Sequence, residues 1–166
     1  MRTVWGEEGR CQTLRNVIYE MIRNSCDHAF DPKNVNDVRW HLSISFDDDR
    51  KLVKFSLVDN GEGIPNTLVK SYLTTVKNLF KGDADMLESA FFGEQKSRTK
   101  LPWRGKGLPS IYESYSEGKI KNLLVISNGV FLHFDRGIKE NLNTAYKGTY
   151  YYWEIDSTCT KELFID

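Results

Sequence analysis

A short apolar strand that ends in an acid and two glycines is the feature of this 166-residue sequence that most constrains its fold. The apolar run Phe55–Val58 precedes Asp59-Asn-Gly-Glu-Gly63, in which the Asn-Gly pair predicts a tight turn. Gly61 and Gly63 can adopt backbone angles closed to other residues and let another group approach the main chain closely. We therefore expect Asp59 at a strand end beside bare backbone, either as a solvated loop acid or as a carboxylate that binds the polar edge of a ligand.

The composition excludes several classes of protein. The length suits a single domain that buries a real core, and 23 Lys and Arg balance 23 Asp and Glu, so no dedicated nucleic-acid or acidic-membrane surface is expected. Three scattered cysteines without C-x-x-C spacing indicate a reducing compartment rather than a disulfide framework or a zinc site. The N-terminus lacks a signal-peptide core, and no apolar stretch approaches the roughly 18 residues of a membrane span. These observations predict a cytoplasmic protein.

An amphipathic helix is predicted from about Gln12 to Phe30, because apolar residues recur there at three- to four-residue spacing. Glu20, Asn24 and Asp27 stand at positions i, i+4 and i+7, so they share a narrow sector beside the apolar stripe. This sector is either an ordinary solvated face or the wall of a pocket.

Strand patterns surround the acid–glycine stretch and fill the last third of the chain. Residues 38–46 and 52–58 are predicted to pair as an antiparallel hairpin around a solvated acidic turn at Asp47–Arg50. A second hairpin is predicted between residues 122–127 and 130–134, with Asn128-Gly129 as its turn. An aromatic strand from Gly148 to Ile155 closes the pattern.

The segment between these strand regions is predicted to contain helices and a loop. Two amphipathic helices are indicated around residues 68–80 and 86–91, and a polar, basic, aperiodic run follows from Gly93 to Lys100. Such a run is either a plain surface loop or a mobile lid. A glycine cluster at residues 104–108 then leads into a helix expected to begin near Pro109. The N–H groups and dipole of that helix start suit an anion, although the Walker spacing is absent.

Four short motifs occur in one order along the chain: Glu20-x-x-x-Asn24-x-x-Asp27, Asp59-x-Gly61-x-Gly63-Ile64, Gly105-x-Gly107-Leu108 and Gly148-Thr149. In this order they resemble the GHKL ATPase superfamily, which includes gyrase B, heat-shock chaperone, histidine kinase and MutL. The resemblance runs from about residue 12 to residue 156. It implies an α/β two-layer sandwich in which a mixed, mostly antiparallel sheet carries helices on one face. ATP would lie between the helices and the sheet, and residues 82–104 would form an ATP lid.

The resemblance also implies a role for each motif residue at the base end of an ATP site. Asp59 would accept a hydrogen bond from the adenine amino group, and Thr149 would support Asp59 through a water. The floor under the base would consist of Gly61, Gly63 and Ile64.

At the phosphate end, the resemblance implies that Asn24 holds Mg²⁺, that Asp27 lies near the nucleotide and that Glu20 is the general base which polarises the attacking water. The residues that would wrap the phosphates are Gly105, Lys106, Gly107 and Leu108. Pro109 departs from the glycine that kinases usually carry after this motif, and it offers no N–H to a phosphate.

Three functions remain open from the sequence. The first is a Mg²⁺-dependent ATPase that drives a conformational change in a larger protein, which the acids Glu20 and Asp27 favour. The second is the catalytic domain of a histidine-kinase or anti-sigma-type protein kinase, and the third is an ATP-sensing module with negligible turnover. Residues 1–166 are expected to be one domain of a longer protein, with adenine nucleotide and flanking domains or a partner subunit as its partners.

Overall fold

The computed structural model describes residues 11–28, 39–71, 82–93 and 106–159, with side chains described up to Cys26 in the first segment and Leu68 in the second. The elements in chain order are α1 (Gln12–His28), β1 (Trp40–Asp47), β2 (Leu52–Asp59), α2 (Ile64–Ser71), α3 (Asp83–Phe91), α4 (Gly107–Ser116), β3 (Lys121–His133), a short 3₁₀ turn (Phe134–Arg136) and β4 (Ile138–Ile155). The four strands form one sheet in the order β1-β2-β4-β3. The predicted α/β fold is therefore confirmed, although the strands in these segments pair only in antiparallel fashion.

The core lies between one face of the sheet and the helices. Residues of β2 alternate between buried and half-buried along its length, which is the pattern of a strand covered on one side. On that face Trp153 of β4 stacks on Phe55 of β2, with ring centroids 5.1 Å apart. Helix α1 contributes Val17 and Met21 to the same core, so its apolar face packs into that core.

The predicted hairpin between β1 and β2 is confirmed, with Trp40 opposite Asp59 and Asp47 opposite Leu52. Asp47 closes the turn because its carboxylate accepts from the Arg50 N–H at 3.2 Å and pairs with Lys54 at 3.0 Å. The described residues contain no group of three or more His, Cys, Asp and Glu side chains able to hold a metal ion. The predicted turn at Asp47–Arg50 is therefore confirmed by its own contacts.

The predicted hairpin turn at Asn128-Gly129 is wrong. Strand β3 continues through these residues, and the chain reverses later, at the 3₁₀ turn and Gly137, whose φ is 59°. A two-residue type I′ turn needs positive φ at both central residues, but of this pair only Asn128 has one, at 53°. The register with β4 shifts on both sides of Asn128, so the pair forms a bulge instead.

Residues 82–93, the first part of the predicted lid, contain helix α3. The second predicted helix is therefore confirmed. This part of the predicted lid is a helix that packs into the core, since Leu87 and Phe91 are fully buried. Lys139 of β4 ties α3 to the sheet through Asp85 at 2.8 Å and Glu88 at 2.6 Å. Residues 94–104 lie outside the described residues, and a lid there stays a prediction.

Helix α4 begins at Gly107, two residues before the predicted start. Pro109 therefore lies within the first turn, where backbone N–H groups have no partner inside the helix and its missing N–H breaks no helical hydrogen bond. The N–H groups of Gly107 and Leu108 remain available at the helix start.

Candidate functional site

Asp59 is a buried carboxylate with neutral partners. Its side chain ends strand β2 on the core face, and the residue is 3% exposed. Oδ1 accepts hydrogen bonds from the Gly61 N–H at 2.9 Å and the Thr149 N–H at 3.1 Å, while Oδ2 accepts from the Ser25 hydroxyl at 2.8 Å. Among the described residues no lysine or arginine forms an ion pair with it. Because a carboxylate can accept about four hydrogen bonds, one acceptor direction of Oδ2 has no partner among the described residues.

Thr149 contacts Asp59 through its backbone. The Thr149 N–H donates directly to the carboxylate, because the strand register places Thr149 opposite Asp59, and the additional support through a water stays a prediction. The Thr149 hydroxyl instead lies 3.1 Å from that of Ser127, a fully buried residue of β3. Ser127 also accepts from the Ile64 N–H at 2.8 Å, so it joins the start of α2 to the sheet.

Gly63 and Gly148 are packed too closely against their surroundings to carry side chains. A Cβ on Gly63, whose φ is 80°, would lie 2.2 Å from Oδ1 of Asn128, and a Cβ on Gly148 would lie 2.1 Å from the Asp59 carbonyl oxygen. Asn128 also donates to the Glu62 carbonyl at 2.8 Å. The bulge at Asn128 therefore holds the turn that follows Asp59, and both glycines are required for this packing.

A second group of polar atoms lies at the start of α4. A Cβ built on Gly107 would be 3.0 Å from Glu20 Oε2 and 3.1 Å from Asn24 Oδ1, so these two oxygens converge on one point. Lys106, the N-cap of α4, makes no side-chain capping bond, and the helix start carries the positive end of the dipole. Carboxylate and amide oxygens suit Mg²⁺, which typically takes one or two protein ligands and keeps several waters. The residues present therefore fit that ion.

Helix α1 connects the two ends of the site. Asn24 faces Gly107 at the start of α4, and the next residue, Ser25, bonds to Asp59 at the end of β2. A ligand that contacted both ends would lie along α1, between this helix and the sheet. Glu20 and Asn24, which were predicted to lie one turn apart on the same face of the helix, thus both approach the start of α4.

The positions of four other predicted site residues indicate no particular role. Lys106 is exposed, and Leu108 packs against the core. Asp27 belongs to α1, but its side chain, like the whole of Gly105, lies outside the described residues.

Sequence reasoning missed the serines and tyrosines of the site. Ser25 follows Met21 by four residues and so occupies a core-facing position of α1, and Ser127 continues the inward-facing series of β3. A polar residue at an apolar position of a periodic pattern is the signal that was available for both. Tyr146 gave no such signal, yet its hydroxyl donates to the Asp59 carbonyl at 3.0 Å.

Tyr151 is a further buried residue of the site that sequence reasoning missed. It is 1% exposed, and burial first and the charge of Asp59 second raise the pKa of its hydroxyl. Neither its hydroxyl nor the Nδ2 of Asn24 has a hydrogen-bond partner among the described residues, although both atoms are buried. The Asn24 amide opposes this rise in the pKa of Tyr151, so the two side chains are neighbours, although the pair falls short of hydrogen-bond geometry.

Comparison with known proteins finds matches among solved structures. No protein-family model and no curated protein matches the chain. A histidine kinase domain from the Erythrobacter litoralis EL346 blue-light activated histidine kinase is similar at 14% identity and a TM-score of 0.48, covering 93% of this chain and 48% of that one. This chain thus spans about half the length of that structure.

Among the described segments, none of the helices combines the length and apolarity needed to cross a bilayer.

Proposed function

We propose that this domain binds ATP together with Mg²⁺ and hydrolyses it, so that the nucleotide state drives a conformational change in a larger protein. The observation that carries the proposal is Asp59, a buried carboxylate with three neutral donors and one free acceptor direction on Oδ2. A neutral amino group on a flat ring is a suitable partner for that direction, because it completes the hydrogen bonding of the acid.

The free acceptor also supports selection of the base. Adenine presents an amino group where guanine presents a carbonyl oxygen, and two acceptors facing each other in a buried site leave both unpaired. A site built around a hydrogen-bond partner discriminates strongly against a ligand that lacks it. ATP should therefore bind much more tightly than GTP.

The start of α4 supports the phosphate end of the proposal. Its uncapped N–H groups and dipole favour an anion, and Lys106 is exposed beside them. Asn24 would be a ligand of Mg²⁺, which when bound neutralises charge on the phosphates. Glu20, one turn earlier on α1, would orient and deprotonate the attacking water as general base.

Calorimetric titration with Mg²⁺-ATP and Mg²⁺-GTP tests nucleotide binding. When the ATP concentration is about a hundredfold above its Kd, the free energy of unfolding should rise by about 2.7 kcal/mol. Equal binding of the two nucleotides, or binding of neither, would remove the basis of the proposal.

Glu20→Ala separates hydrolysis from the protein-kinase and sensor alternatives. A general base typically contributes 10²- to 10⁴-fold to the rate and little to ground-state affinity, so ATP affinity should change only a few-fold while hydrolysis nearly disappears. Single-turnover phosphate release at saturating protein is the measurement, and Glu113→Ala, on the exposed side of α4, is the matched control. If wild type and Glu20→Ala release phosphate at the same rate, Glu20 is no base, and if wild type releases no phosphate, one of the alternatives replaces hydrolysis.

A further inference from the structure

Two of the buried polar atoms that have no hydrogen-bond partner among the described residues belong to neighbouring side chains of the site. They are the hydroxyl of Tyr151 on β4 and the Nδ2 of Asn24 on α1, and neither has a hydrogen-bond partner within the described segments. A buried donor or acceptor without a partner costs free energy, so a pair of them requires a physical explanation. As a proposed ligand of Mg²⁺, Asn24 uses its amide oxygen, and this role does not account for its amide nitrogen.

The orientation of the Asn24 amide decides what it can bind. Its Oδ1 lies closer than its Nδ2 to the Cβ position of Gly107, at 3.1 Å against 3.5 Å, so the oxygen faces the positive start of α4. A flipped amide would present its NH₂ group to that helix start and to any cation there, which is unfavourable on both counts. An amide side chain is held in one orientation only by the partners of its two ends.

Tyr151 is fixed in the position that such a partner would need. It pairs with Leu57 of β2 on one side and with Val125 of β3 on the other, so its backbone is held by two neighbouring strands. Its side chain shares the core face with Asp59, two residues beyond Leu57 on β2. A rigid sheet therefore presents the hydroxyl to α1.

We propose that Tyr151 is a positioning residue which accepts a hydrogen bond from Asn24 Nδ2 and thereby holds Asn24 Oδ1 towards the cation. A cation on Oδ1 withdraws electrons from the amide, which makes the NH₂ group a better donor and closes the contact with Tyr151. The inference rests on the proposed function, because it assigns Tyr151 a role at the same Mg²⁺ site.

Tyr151→Phe removes only the hydroxyl and tests the inference through the Mg²⁺ dependence of ATP binding. In wild type, Mg²⁺ should tighten ATP binding, whereas in Tyr151→Phe this tightening should shrink by about 3- to 10-fold, the effect of one neutral hydrogen bond. ATP affinity without Mg²⁺ should stay within about twofold. The stability of the ligand-free variant to denaturant should be unchanged or higher, because an unpartnered buried hydroxyl is removed.

Two further variants make the result specific. Tyr150→Phe, on the opposite face of β4, should leave the Mg²⁺ dependence unchanged. In an Asn24→Ala background, Tyr151→Phe should have no additional effect, because the side chain that it positions is gone.

Three outcomes would overturn the inference, and two of them leave the proposed function standing. Tyr151→Phe with unchanged Mg²⁺ dependence refutes it, and so does an equal loss of ATP affinity with and without Mg²⁺, which would mean a direct contact with the nucleotide. In both cases wild type still binds Mg²⁺-ATP and the proposed function stands. If wild type binds no ATP, the proposed function and the inference fall together.

Discussion

Asp59→Asn replaces one carboxylate oxygen of the site by an NH₂ group without changing the shape of the side chain. Because the N–H groups of Gly61 and Thr149 both point at Oδ1, the amide oxygen must take that position. The NH₂ group then takes the place of Oδ2, where the Ser25 hydroxyl can turn to accept from it. The local hydrogen bonds survive, but the free acceptor direction becomes a donor that faces the amino group of adenine.

The magnitude follows from this exchange. A hydrogen bond to a charged group contributes about 1.5–3 kcal/mol, so its loss should weaken ATP binding by roughly 10- to 100-fold. The stability of the fold should change less, because weaker hydrogen bonds to Gly61 and Thr149 are offset by removal of a buried charge. GTP, whose carbonyl could accept from the new NH₂ group, should lose less affinity than ATP.

Calorimetry on wild type, Asp59→Asn and Asp49→Asn provides the assay. Asp49 is an exposed acid of the β1–β2 turn, so its replacement controls for the loss of one negative charge. Circular dichroism and denaturant unfolding establish that each variant is folded. A folded Asp59→Asn protein that binds ATP within about threefold of wild type would refute the assignment of Oδ2 as the acceptor for the base.

Two further predictions concern stability. Gly148→Ala should destabilise the protein far more than Gly118→Ala, because its Cβ would lie 2.1 Å from the Asp59 carbonyl oxygen, whereas Gly118, with a φ of 73°, has nothing within 4 Å and should cost only about 1–2 kcal/mol. Equal losses in denaturant unfolding would contradict the close packing. Burial tends to raise the pKa of Asp156, but hydrogen bonds from Lys121 and from nearby donors outweigh burial and hold it below 3.8. The stabilisation by the Lys121–Asp156 ion pair is therefore fully present above about pH 4, and it is lost as the pH falls towards the lowered pKa of Asp156. Asp156→Asn should thus be less stable than wild type by about 1–2 kcal/mol at pH 7 and should approach the stability of wild type in acid. A difference that stays constant from pH 7 to pH 2 would exclude the ion pair.

The order of the elements near the site was predictable because periodicity and turn chemistry are local. The helical spacing of Glu20 and Asn24 predicts that they share one face, and the structure has both oxygens at Gly107. Likewise, the apolar run before Asp59 predicts a buried strand, which β2 is. Each of these inferences depends on residues within a few positions of one another along the chain.

Contacts that depend on pairing between distant segments were not predictable. Asn128-Gly129 has the composition of a hairpin turn, and only its packing against Glu62 and Gly63, more than 60 residues earlier, makes it a bulge. The backbone contact of Thr149 with Asp59 likewise follows from the register of β2 and β4, which no local pattern specifies. The partners of buried polar groups were therefore the part of the site that the sequence left open.

An amide-resolved NMR titration tests most directly whether one ligand joins both ends of the site. With Mg²⁺-ATP, the amide resonances of Gly61 and Thr149, which donate to Asp59, and that of Gly107 at the start of α4 should shift along one binding curve. Adenosine alone should move the first two, and inorganic triphosphate with Mg²⁺ should move only Gly107. Shifts confined to one end with Mg²⁺-ATP, or no shifts at either end, would contradict an ATP site between α1 and the sheet.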